Sequence, residues 1–193
     1  MEMLQHLVSG KYSPKLSLQL RSEFRNDSWD KRYSAVVMAA AVAPEIGNDV
    51  LVEAVSGDAK RFDLHLYCLA ARALAAKQGD AGLRVLLKHI PRSLHDRVAE
   101  SVVFDLVATY GSAGCVPDLK ALVESRPEFA VSAGFAMAGI GGASCKDAIS
   151  DLLRDKRIAD QSETISDGHS STMESVPALL KKALARCPNK AAK

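Results

Sequence analysis

Four doubled aliphatic pairs, Leu51-Val52, Leu86-Leu87, Leu122-Val123 and Leu152-Leu153, recur along this 193-residue chain at intervals of 35, 36 and 30 residues. A period in that range is the signature of stacked supersecondary units, each too small to hide its own apolar face. Aromatic residues make up only 5% of the chain. The short β-branched runs Val36-Val37 and Val102-Val103 lie inside longer Ala- and Leu-rich stretches of helical period, so the units are predicted to be helical.

Gly, Pro and Asn punctuation between these stretches divides the chain into helix-sized segments. The spacing predicts four helical pairs, 29–43 with 48–56, 60–77 with 80–90, 94–110 with 115–125, and 128–139 with 143–154. An opening region, 1–25, supplies one or two helices that seal the first end. Pro44, Gly79, Cys115 and Cys145 all stand seven residues before the first member of their doubled pair, which places them at the turn into the second helix. Asp30, Asp58 and Asp80 sit where negative charge suits a helix N-terminus, and Ser93 with Asp96 reads as a helix start. The stretch 158–175 is polar and is expected to be a mobile linker. Val176, Leu179, Leu180, Ala183 and Leu184 form one amphipathic helix over 176–187, with Pro177 in its first turn. This helix is expected to cap the last unit, and 188–193 forms a basic tail. Residues 1–157 are read as the repeat domain.

Asp27 to Arg32 with Ala35, then Asp58 with Arg61, and Asp96-Arg97-Val98-Ala99, follow a pattern in which an acidic residue opens a first helix bearing Arg and Ala. A Gly-bearing turn and a Leu-rich second helix come next. In this the chain resembles HEAT-repeat α-solenoids over residues 28–155. The fourth unit, Glu128-Phe129-Ala130, departs from the pattern because it has no arginine. The resemblance implies an all-α fold, a right-handed α-α superhelix of helical hairpins with a C-terminal amphipathic helix.

No reaction chemistry is legible. Histidines 6, 65, 89, 95 and 169 have no metal-ligand spacing, and His89, at a helix end, is expected to favour the dipole as a cation. Cys68, Cys115, Cys145 and Cys187 lie far apart, as expected of reduced thiols in a cytoplasmic protein. Gly139, Gly141 and Gly142 follow no strand and precede no Gly-Lys-Ser/Thr, so they read as a helix–helix turn. Asp147 and Asp151 share a face at i, i+4 and read as a solvated charged face. The expectation is a non-enzyme with no cofactor or metal. The most apolar stretch, 35–44, is about half the ~20 residues a membrane helix needs.

The residues that follow the doubled pairs are Glu53, Lys88, Glu124 and Arg154, with Arg84 and Lys120 just before two of the pairs. In solenoids of the family it resembles, these positions line the inner wall. Their alternating signs suit a protein partner better than a ladder of phosphates. Over residues 1–180 the formal charge is −3, and the excess of base lies in 181–193. The expected function is therefore a protein–protein interaction module, an adaptor, regulator or inhibitor such as a bacterial immunity-type protein. The alternative is a nucleic-acid-binding or DNA-repair HEAT-like protein, which needs a basic wall and aromatics for a flipped base. Trp29, the one tryptophan, is expected to staple the first hairpin.

Overall fold

The computed structural model describes residues 14–57, 62–91, 97–166 and 171–189. Helices dominate them: α1 (Pro14–Phe24), α2 (Trp29–Ala41), α3 (Pro44–Ser56), α4 (Leu64–Gln78), α5 (Asp80–Lys88), α6 (Arg97–Tyr110), α7 (Val116–Ser125), α8 (Ala130–Ile140), α9 (Ala143–Arg154), the single turn α10 (Lys156–Ala159) and α11 (Val176–Arg186). Strands β1 (Ser162–Ser166) and β2 (Ser171–Ser175) form an antiparallel two-stranded ribbon. The chain divides into two compact units, residues 1–102 and 103–193. The expected helix starts at Asp58 and Ser93–Asp96, and histidines 6, 95 and 169, fall outside the described residues.

In the first unit, burial repeats with the period of the sequence. Ala35, Val36, Ala39, Leu51 and Val55 are buried in one hairpin, α2–α3. Thirty-five residues on, Ala70, Ala71, Leu74, Leu86 and Ile90 are buried in the α4–α5 segment. The closest helix approach repeats as well. A Cβ placed on Gly47 would lie 2.2 Å from the Ala39 carbonyl oxygen, and one on Gly82 would lie 2.3 Å from that of Leu74. Glycine is needed at both positions because backbone meets backbone, with no side chain to yield. This also corrects the start of α3. Gly47 lies inside the helix, which begins at Pro44 in the first-turn position that proline tolerates. Helix α1 packs on both α2 and α3 and closes that side of the first hairpin.

The second unit has its own period, 30 residues. Val103, Phe104, Leu106, Val107, Cys115 and Leu119 are buried, and Ala133, Ala136, Met137, Cys145 and Ile149 are buried at equivalent positions. The position equivalent to Phe104 is Gly134, where an added Cβ would come within 2.5 Å of Leu180 on α11. Loss of the side chain on α8 thus makes room for α11, whose Val176, Leu179, Leu180 and Ala183 are buried. The C-terminal helix packs on α8 and α9. It belongs to the second compact unit, so the expected boundary at residue 157 does not coincide with the division of the chain.

The polar stretch expected to be without regular structure is paired. Ser162 faces Ser175, Glu163 faces Glu174 and Thr164 faces Met173 across the ribbon. Opposed carboxylates repel, and Lys182 on α11 relieves one by donating to Glu174 at 2.5 Å. Met173 on the ribbon is 77% exposed.

Candidate functional site

The six charged residues singled out by position lie on second helices, α3, α5, α7 and α9, and each unit shows what they engage. In the first unit Glu53 accepts from Arg25 on α1 through both carboxylate oxygens, at 2.9 and 3.1 Å. One turn earlier Asp49 accepts from Arg21 at 2.5 Å. The ridge formed by α1 and α3 is therefore a two-rung ladder of ion pairs within the chain. Arg84 and Lys88 stand exposed on α5.

In the second unit Lys120 on α7 donates to Asp151 on α9 at 2.9 Å, and Arg154 reaches the same carboxylate at 3.5 Å. The Lys120 hydrogen bond, reinforced by its charge, holds the Asp151 carboxyl below the ordinary range. Glu124 is exposed, and its backbone carbonyl accepts from Arg157 at 3.0 Å. Glu53, Lys120 and Arg154 thus pair with neighbouring helix charges or with their own helix. The sequence could not show this because the partners lie 28 and 31 residues away.

A pair of exposed aromatics lies elsewhere, on α2. Trp29, Tyr33 and Val37 follow one another at four-residue intervals on α2 and are 42%, 40% and 38% exposed. The Trp29 and Tyr33 rings stack, with centroids 5.0 Å apart and planes 16° from parallel. Trp29 does not staple its own hairpin as expected. Its Nε1–H donates to Asp63 at 2.8 Å, the residue that caps α4. The other oxygen of Asp63 accepts from the His65 and Leu66 N–H groups at 2.9 and 3.0 Å. Partial burial pushes the Asp63 carboxyl up. The Leu66 N–H, Trp29 and the His65 N–H outweigh it, so the carboxyl titrates below its ordinary value. The bond tethers the Trp29 edge of the stacked pair, and both rings stay partly exposed.

Packing sets the state of several other groups. Lys77 reaches from α4 to the carbonyls of Ala39 and Val42, where α2 ends. Burial lowers its pKa, against the pull of Glu45. His89 caps α5, and burial together with Lys88 lowers its pKa. Both effects work against the cation expected at this helix end. Cys68 is half-buried and its thiol is pushed up by burial, against the opposing effect of Arg72. Gly141 and Gly142 have φ of 80° and 91° and make the turn between α8 and α9. The Gly142 N–H is taken by the Pro188 carbonyl at 3.0 Å.

Among the described residues no group of three or more His, Cys, Asp or Glu could hold a metal ion. Nor is any helix among them long and apolar enough to cross a membrane. Comparison with family models, with curated proteins and with solved structures returns no match.

Proposed function

We propose that this chain is a non-enzymatic protein-binding module of the adaptor, regulator or inhibitor class, built as a short HEAT-like solenoid with a right-handed superhelical sense. The repeated burial register and the repeated glycine approach in the first unit support stacked hairpins. One observation carries the functional reading. A stacked Trp–Tyr pair with Val37 beyond it stands in water on a helix whose other face is core. Exposed aromatics held rigid in advance lose little entropy on binding and dominate the energetics of protein interfaces. Among the second-helix charges, Glu53, Lys88, Glu124 and Arg154 alternate in sign along the sequence, and Arg84 and Lys120 add positive charge; such a mixture selects a partner more than it tightens binding.

The test keeps the Trp29–Asp63 bond intact. Tagged protein carrying Tyr33→Glu and Val37→Glu is compared with Gln19→Glu, an exposed change on α1, by quantitative capture from native lysate. The double variant should lose a specific protein that the control retains. Equal recovery by both would remove the stripe from the interface. Retention of the unaltered chain on duplex DNA at near-physiological salt would favour nucleic acid instead.

A further inference from the structure

The chain crosses back over the start of α9 just after α11 ends. Cys187 directly follows Arg186, the last residue of α11, and it is 4% exposed; Cys145, in the first turn of α9, is fully buried. Three contacts place the two segments together. The Gly142 N–H donates to the Pro188 carbonyl at 3.0 Å, Lys146 Nζ meets the Asn189 side chain, and Cys187 Sγ lies 3.9 Å from the Gly142 carbonyl oxygen. That oxygen also accepts from the Lys146 N–H at 3.2 Å. It therefore points along the helical turn on which Cys145 sits, and a turn advances only about 5.4 Å. We propose that Cys145 and Cys187 are a dithiol pair that closes to a disulfide on exchange with a low-molecular-weight disulfide, tying the C-terminal cap to α9.

Spacing distinguishes this pair from Cys115 and Cys145. Cys115, just before α7, and Cys145 stand at equivalent positions at the starts of second helices; neighbouring helix axes run about 8–10 Å apart, whereas a disulfide needs Cα atoms within about 7 Å. Cys187 lies beyond its helix and approaches α9 end-on. Both residues are thiols in this structure. Burial holds the Cys145 thiol up, and the neighbouring Cys187 adds to it, against hydrogen bonds from Ser144 and Gly141. Packing of this kind disfavours the thiolate that exchange requires. Reaction starts when the last turn frays, since Arg186, Pro188 and Asn189 are exposed on either side of Cys187.

The small disulfide is the two-electron oxidant, and the chemistry balances with it. The Cys187 thiolate attacks one sulfur of the small disulfide and expels one small thiolate, leaving a mixed disulfide on Cys187. The Cys145 thiolate then attacks the Cys187 sulfur and expels the second. Two protein thiols become one protein disulfide, and one small disulfide becomes two small thiols, each taking up a proton that a cysteine released.

The experiment uses the full-length reduced chain and oxidised glutathione as the probe. After acid quench, alkylation and non-reducing tryptic digestion, the four cysteines fall on separate peptides. The expected product is the peptide ending at Lys146 linked to the one starting at Cys187. The intact mass should fall by two hydrogens and the urea midpoint should shift upward; dithiothreitol should reverse both. Cys187→Ser should abolish the link. A Cys187–glutathione adduct with Cys145 still alkylated, or a bridge from Cys145 to Cys115, would overturn the proposal. So would a bridged protein with an unshifted midpoint, because the cap would then not be what is tied.

Discussion

Replacing Gly82 by alanine should lower stability, although alanine is the better helix former. At an open helical site the change from Gly to Ala stabilises by up to about 1 kcal/mol. At Gly82 the new Cβ would sit 2.3 Å from the Leu74 carbonyl oxygen and 2.7 Å from its carbon. Helices α4 and α5 would have to part by about 0.7 Å before that contact reached 3.0 Å, and a close-packed interior resists such a shift. Overpacking of this kind costs about 1–3 kcal/mol, so the net loss should be about 1–2 kcal/mol. With a urea slope near 2 kcal/mol/M, the midpoint should fall by roughly 0.5–1 M. The assay is urea unfolding followed by helical circular dichroism. Gly47→Ala should behave alike, since it meets the Ala39 carbonyl at the equivalent place in the preceding hairpin. Ala76→Gly, exposed on α4, serves as the comparison and should lose about 1 kcal/mol through propensity alone. If Gly82→Ala left the midpoint unchanged or raised it, the close approach and the repeat built on it would be wrong.

Asp63→Ala should cost about 1 kcal/mol, the usual price of a lost N-cap, and should shift the emission of Trp29, the sole tryptophan. Because the folded carboxyl titrates below its unfolded value near 3.9, its contribution is fully present above that value and disappears as pH falls through the folded one. The stability gap between wild type and Asp63→Ala should stay level above about pH 5 and narrow below about pH 4 in acid-limb urea melts. Deletion of residues 176–193 should do more than remove a tail. Val176, Leu179 and Leu180 are buried, and at about 1.5–3 kcal/mol each their loss, an upper bound of about 5–9 kcal/mol, approaches the stability of a whole domain. Dye binding by the exposed face of α8 and loss of cooperative unfolding in residues 103–175 should follow. Lys88→Glu, exposed on α5, should leave the urea midpoint where it is while changing capture of any partner that reads the charge row.

The helices were open to inspection because apolar residues recur at helical period within each segment. Leu51, Leu86 and Leu152 are buried as the doubled pairs require, and Leu122 gives way only to its neighbour Val123. Gly47 and Gly82 also lie 35 residues apart, yet a glycine reads as punctuation until the backbone it touches is seen. The ribbon was hidden for a physical reason. Its strands begin and end in Ser and are mostly Ser, Thr and Glu, so they leave no hydrophobic alternation to detect. The ion-pair ladder was hidden because position predicts which face a charge occupies and not which neighbour meets it. Trp29, Tyr33 and Val37 had the right i, i+4, i+8 spacing for a stripe. Whether such a stripe is core or surface depends on what packs against it, and here the buried residues of α2 are Ala35, Val36 and Ala39.

The claim that a protein partner docks on the α2 stripe is tested most directly by a photoreactive phenylalanine analogue installed at position 33 and irradiated in living cells or native lysate. Stacking on Trp29 tolerates such a ring, and a second analogue at exposed position 19 on α1 gives the background. The account predicts one discrete protein adduct from position 33 that is missing from position 19. Adducts only to nucleic acid, or none beyond the background at position 19, would contradict it.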